Sequence, residues 1–205
     1  MYIERICTGC ISENCFVVNH QDRIFIIDPG ADADKIIKKI EEKNWQNLSV
    51  EVLFTHAHAD HIGAAGELAQ RFPDAIFRLD GKDLPIYRSP DNAFPPYIPL
   101  AVDLPETQEY TENTFYRVLE CPGHTPGGVA VLFTCESQEH LFSGDTLFAG
   151  SIGRTDFAGG SMPNLKLTLK MLTEKLSDGV IVHPGHGPDT TIGNEKKTNF
   201  YLSDI

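Results

Sequence analysis

Basic residues are scarce in this chain: 17 Lys and Arg stand against 29 Asp and Glu, giving a net charge of -12 at pH 7. A nucleic-acid binder neutralises phosphates with Lys and Arg, so this balance argues against such a partner. Long apolar runs are missing too. No stretch approaches the roughly 20 residues needed to cross a bilayer, and the opening MYIERICTGC has neither a basic nor an apolar signal region. A cytoplasmic protein without membrane contact is the expectation. Cysteines number only five, an odd count that fits reduced thiols better than a disulfide framework. Cys7 and Cys10 make one C-x-x-C but no second follows, so a structural role in a hairpin is expected rather than a zinc or redox site. A G-x-S-x-G nucleophile turn is absent, and so are the P-loop spacing with its Lys and the helical H-E-x-x-H zinc motif. No internal repeat and no low-complexity tail occurs.

What remains is an ordinary globular chain of 205 residues, 41% apolar and 22% charged, long enough to bury a full core as one domain spanning 1–205. Residues 2–7, 15–18 and 23–27 read as a strand meander, with the third strand halted at Asp28-Pro29-Gly30. Asp32 is placed to cap a helix carrying Ile36, Ile37 and Ile40 on one face. Strands follow at 50–54, 75–78, 114–120, 129–135, 140–143 and 180–182. Helical spacing marks 63–72, a start near Gly81, a Leu165, Leu169, Leu172, Leu176 stripe after Ser161, and 194–201. Two β-rich halves, each followed by helices, point to a sandwich of two sheets with helices outside. His20 and His140 fall in hairpin turns and are expected to be exposed.

One stretch concentrates chemistry. In VEVLFTHAHADHIGAAG, from Val50 to Gly66, a β-branched run ends in His56, His58, Asp60 and His61 within six residues. Period two sends His56 and His58 to one side of an extended chain, while adjacent Asp60 and His61 diverge unless the chain bends. A solvated loop has no need of three imidazoles at this spacing. Imidazole with carboxylate is the ligand chemistry of zinc, iron or manganese, and one metal can take His56 and His58 while a second takes Asp60 and His61. Later strands also end in ligand-type residues at Gly or Pro turns: Cys121-Pro122-Gly123-His124, Gly144-Asp145 and Pro184-Gly185-His186-Gly187.

The runs T55-H-A-H-A-D-H61-I-G63, P122-G-H124-T-P-G-G128, S143-G-D145-T-L-F148 and P184-G-H186-G187 together resemble the metallo-β-lactamase superfamily. GSIGRTDFAGG, from Gly150 to Gly160, with PGHGPDTTIGNE, is similar to its glyoxalase II branch and that branch's small bacterial relatives. The resemblance implies an α/β (α+β) αββα sandwich with the site at one edge of the two sheets. It implies two divalent ions per chain, zinc first and iron or manganese as alternatives. His56, His58 and His124 would hold one ion and Asp60, His61 and His186 the other, with Asp145 bridging. Asp60 and Asp145 are then the carboxylates at the centre of the chemistry. The implied function is hydrolysis of a small-molecule acyl thioester by a hydroxide bridging two metals. Mononuclear iron persulfide dioxygenase chemistry and, further off, β-lactam hydrolysis are the alternatives. Glyoxalase II itself carries a further helical C-terminal domain that binds glutathione; this chain is expected to lack it.

A proline-rich segment, 85–105, is expected to form the wall or lid of a substrate pocket through Tyr87, Phe94 and Tyr97. Arg154 and Asp156 are expected to pair as supports, with a substrate carboxylate as the alternative partner of Arg154. His183 is a candidate to support the turn that carries His186.

Overall fold

The β-branched and aromatic runs of the first half form a mixed sheet because each alternates or saturates with apolar side chains that need cover on two faces. The computed structural model describes residues 1–203, and the chain falls into two compact units that meet in sequence between Tyr110 and Thr111.

In the first unit, β1 (Tyr2–Thr8), β2 (Glu13–His20) and β3 (Arg23–Ile27) are antiparallel neighbours. Strands β4 (Ser49–Leu53) and β5 (Ile76–Arg78) extend the sheet in parallel, in the order β1-β2-β3-β4-β5. Helix α1 (Ala33–Glu42) links β3 to β4. Between β4 and β5 lie a one-turn helix α2 (Ala59–Ile62) and α3 (Ala65–Arg71). Val17, Ile24, Ile26 and Val52 pack with Ile36, Ile40, Ile62 and Leu68 of the helices in one core. Asp32 precedes α1 in a left-handed conformation (φ 55°), and its side chain accepts hydrogen bonds from Gly9 N and Lys35 Nζ instead of capping a helical N–H. His20 is buried, contrary to expectation, and burial pushes its pKa down.

After β5 the chain makes a 3-10 turn, Gly81–Asp83, and a helical turn, α4 (Leu84–Tyr87), with Pro85 in its first turn where no N–H is needed. The proline-rich segment beyond it is ordered by one side chain. Asn92 is buried, donates Nδ2 to the Tyr87 carbonyl at 3.3 Å and accepts Ala101 N–H at 3.2 Å. Phe94 and Ile98 form an isolated bridge.

In the second unit, β6 (Tyr116–Glu120), β7 (Val129–Cys135) and β8 (Gln138–Gly144) are antiparallel. Strand β9 (Leu147–Phe148) pairs with β10 (Ser151–Ile152). Helix α5 (Met162–Lys175) crosses over to β11 (Ile181–Pro184), which runs parallel to β8, and β12 (Thr190–Thr191) precedes α6 (Ile192–Thr198). The leucine stripe Leu165, Leu169, Leu172 and Leu176 is buried against Leu132, Leu141 and Val182. Ser161 Oγ caps α5 by accepting Asn164 N–H. His140 is half-buried rather than exposed, because its ring stacks on His183 with Nδ1 3.0 Å from His183 Nε2. All five cysteines are free thiols, and Cys7 and Cys10 are exposed.

Candidate functional site

In the first unit, β4 delivers its chain end to a loop that turns into α2, so His56 and His58 leave the strand while Asp60 and His61 sit on the helical turn. The turn resolves the divergence expected of adjacent Asp60 and His61: His61 Nε2 lies 3.4 Å from Asp60 Oδ2. The His56 ring centroid is 4.8 Å from that of His58 and 4.1 Å from that of His61. His56, His58 and His61 are buried, unlike solvated loop side chains.

Asp28 organises this cluster, a role that reading it only as the end of β3 had missed. It is buried, adopts φ 51°, and accepts three hydrogen bonds: Thr55 N to Oδ1 at 2.7 Å, Thr55 Oγ1 to Oδ2 at 2.6 Å, and His61 Nδ1 to Oδ2 at 3.0 Å. Because the Thr55 hydroxyl proton goes to Asp28, its oxygen accepts from His56 Nδ1 at 3.0 Å. Both rings therefore carry their proton on Nδ1 and turn the Nε2 lone pair outward, the tautomer a metal needs. Asp83, fully buried, accepts Ala57 N–H at 3.1 Å and holds the backbone between His56 and His58. Gly30, two residues after Asp28, packs its Cα against the Asp60 carbonyl so closely that a Cβ would overlap it. Nearby, Thr8 Oγ1 donates to Glu13 Oε2 at 2.6 Å, and burial raises the Glu13 carboxyl well above its ordinary pKa.

In the second unit, each of three turns ends a strand and presents one ligand. His124 follows β6, Asp145 follows β8 and His186 follows β11. The two oxygens of Asp145 face different rings: Oδ2 lies 3.6 Å from His124 Nε2, and Oδ1 lies 3.8 Å from His186 Nε2. These separations are too long for hydrogen bonds and leave room between carboxylate and imidazoles. His124 Nδ1 donates to the Arg154 carbonyl at 2.7 Å, which again puts the ring proton on Nδ1 and the lone pair on Nε2. Gly123 lets this turn lie on α5, where a Cβ would come within 2.5 Å of Leu165. Glu195 is the second organiser that sequence reading missed. Fully buried, it accepts Gly150 N–H at 2.8 Å, Thr190 Oγ1 at 2.6 Å and Asn199 Nδ2 at 2.8 Å, so it ties α6 to the run that carries Arg154.

Arg154 does fork Asp156, at 2.6 Å to each oxygen, but on the surface rather than buried. That hydrogen bond lowers Asp156 to a pKa of about 2. His183 packs on Phe142 and His140 and faces Asp189 at 3.2 Å, so it stiffens β11 ahead of the His186 turn. Of the aromatics assigned to a substrate wall, Tyr87 is only 3% exposed: it packs on Phe54 in the core and donates its hydroxyl to the Pro105 carbonyl. Phe94 meets the His58 ring edge-to-face at 4.7 Å, and Tyr97 is 73% exposed.

The donor chemistry fits divalent metals: imidazoles held through Nδ1 at His56, His61 and His124, with carboxylates beside them. The profile of the Metallo-beta-lactamase superfamily matches residues 8–186. The chain belongs to the metallo-β-lactamase superfamily. Its fold is that of the superfamily, two mixed sheets with helices, and it is a metal-dependent hydrolase of that group. It is 36% identical over 213 residues to a protein of Haemophilus influenzae described as hydroxyacylglutathione hydrolase GloC, with 99% of each chain covered. Among solved structures, TTHA1623 in a di-iron-bound form shares 35% identity and a TM-score of 0.82, covering 97% of this chain and 100% of that one. The B3 metallo-beta-lactamase BLEG-1 shares 33% identity with a TM-score of 0.82 over 98% of this chain and 100% of its own.

Proposed function

We propose that this superfamily member hydrolyses acyl thioesters with two divalent metals, zinc being the first candidate and iron or manganese the alternatives. The observation that carries the dinuclear reading is Asp145, whose two oxygens face two different imidazoles as a bridging carboxylate requires. The ligand assignment follows the superfamily pattern: His56, His58 and His124 for one ion, Asp60, His61 and His186 for the other, and Asp145 for both. The thioester specificity rests on the likeness to the Haemophilus influenzae protein.

Bound ions supply acidified water, with a pKa near 7 for zinc-bound water against roughly 16 in bulk, and positive charge for the developing oxyanion. The chain does the rest by positioning. Asp28 and Thr55 hold His61 and His56 by Nδ1, and the Arg154 carbonyl holds His124 in the same way. Asp60, as a ligand, is committed and does not act as a free base. No serine or cysteine nucleophile is needed, since water is the acyl acceptor.

The test is a panel of thioesters, a persulfide and several β-lactams, run on protein loaded separately with zinc, iron and manganese, with metal counted per chain. Two metals and thioester turnover are expected. One iron per chain with oxygen consumption on the persulfide, and no thioester cleavage, would replace this reading with dioxygenase chemistry. The likeness to BLEG-1 makes a β-lactam the competing acyl substrate, and lactam turnover faster than any thioester's would move the assignment there.

A further inference from the structure

The first unit contains a cavity of about 390 Å³ that opens beside Asp60. Its size falls in the range of small-molecule pockets, about 300–1,000 Å³. The wall is made by the β1–β2 turn and by residues 97–103 of the proline-rich segment, lying across α3. That roof is seated rather than loosely draped. A Cβ at Gly66 would come 2.6 Å from the Asp103 carbonyl, and Cys10 Sγ donates to the Tyr97 carbonyl at 3.2 Å.

Its lining is lopsided in charge. Ile11, Ile98, Leu100 and Val102 supply apolar surface, and Ile11, Leu100 and Val102 are among the few large hydrophobic side chains the chain leaves exposed. Among the described lining residues none is Lys, Arg or His, whereas Asp32, Glu67 and Asp103 all contribute carboxylates. Lys35 pairs with Asp32; with Asp60 assigned to a metal and Glu13 buried, Glu67 and Asp103 are the carboxylates left on the wall. Glu13 is only 1% exposed, with Oε2 taken by Thr8 and Oε1 turned toward His61 Nδ1 at 3.9 Å, so it offers the cavity no open acceptor.

We propose that this cavity receives one arm of the thioester, and that the arm it accepts is apolar with an uncharged or cationic polar group, not one bearing a carboxylate or phosphate. Away from the metal end, an anionic arm would lose its hydration against a wall with no Lys, Arg or His and meet Glu67 and Asp103. An uncharged or cationic group on an apolar body meets the Glu67 and Asp103 wall while covering Leu100 and Val102. The inference rests on the thioester reading and adds the substrate class. Either the acyl or the thiol end could bring this chemistry.

The experiment varies one end at a time on the metal-loaded protein. Butanoyl and succinyl thioesters of N-acetylcysteamine compare acyl arms. Butanoyl thioesters of 2-(dimethylamino)ethanethiol and 3-mercaptopropionate compare thiol arms. At least tenfold higher kcat/KM for the non-anionic member is expected in one pair, and that pair identifies the end that enters. Leu100→Lys with Val102→Lys, both at exposed positions, should cut the discrimination at least threefold with Tm and metal content unchanged. Occupancy is read without turnover through Cys10. In a Cys7→Ser background, 2-(hexylthio)-N,N-dimethylethanamine should slow Cys10 alkylation by iodoacetamide, and 3-(hexylthio)propionate should not. Thioester turnover with no discrimination in either pair and no protection of Cys10 overturns the inference while the hydrolase reading stands. Protection by the amine alone, without turnover of any thioester, upholds the cavity's selectivity and removes the thioester reading instead.

Discussion

His61 Nδ1 donates to Asp28 Oδ2 at 3.0 Å, across 33 residues of sequence, and the same oxygen takes the hydroxyl proton of Thr55. One carboxylate thus sets two imidazoles, directly for His61 and through Thr55 for His56. Asp28→Asn keeps a residue that tolerates its left-handed backbone but offers one acceptor oxygen and an unwanted donor. The expected outcome is a folded protein with metal affinity about 10–100-fold weaker, checked by metal titration with circular dichroism as the control. Unchanged affinity would mean the hydrogen bond does not orient the ligand.

Substitutions at the two proposed metal positions should differ in what remains bound. His58→Ala and His186→Ala each remove a ligand assigned to a different ion, so metal counts should fall unequally while activity is nearly lost in both. Asp145→Asn should lose at least as much activity, because an amide cannot offset the charge of two cations as a carboxylate can. Near-normal turnover of Asp145→Asn with two metals bound would remove the bridge.

Phe94→Ala takes away the ring that meets His58 edge-to-face at 4.7 Å, and Tyr97→Ala trims a side chain that is mostly in water. The double variant should raise KM and reorder preferred thioesters, with metal content unchanged and stability lowered by no more than about 1 kcal/mol. Steady-state kinetics beside a denaturation curve decide it; identical kinetics on every substrate would leave the segment with no part in binding.

Glu195 links stability to pH. Burial raises its pKa, but hydrogen bonds from Thr190, Gly150, Asn199 and Asn194 outweigh burial, and the net shift is downward from 4.5. A carboxylate with a depressed folded pKa contributes stability that is fully present above its ordinary value and is lost as pH falls through the lowered one. Glu195→Ala should therefore cost about 2–4 kcal/mol near neutral pH, and the gap from wild type should narrow in denaturation curves taken below pH 4.5. A constant gap across that range would assign the loss to packing alone.

Chelation should abolish turnover and lower Tm, since ions that bind the folded chain stabilise it by mass action. Stepwise return of zinc should restore both, Tm ahead of activity. Recovery of Tm with the first equivalent and of activity only with the second is the pattern two coupled sites predict.

The proposed ligand residues were readable from the chain alone, because metal chemistry depends on residue type and His56, His58, Asp60 and His61 are crowded into one strand end. Superfamily and sheet content followed from those runs and from period-two apolar patterning, which is a local property. What local pattern could not carry is the tautomer of each imidazole. Asp28, Thr55 and the Arg154 carbonyl determine it through hydrogen bonds that, for Asp28 and His61, join positions 33 apart, and an Asp before Pro-Gly reads simply as a turn. Glu195 was equally silent, a carboxylate in a short C-terminal helix until folding buried it among four donors. The proline-rich segment shows the same division. Composition told that it is irregular, but only packing decided that Tyr87 enters the core while 97–103 roof a cavity, because the choice was made by Asn92 and by the space above Gly66 rather than by any periodicity within the segment.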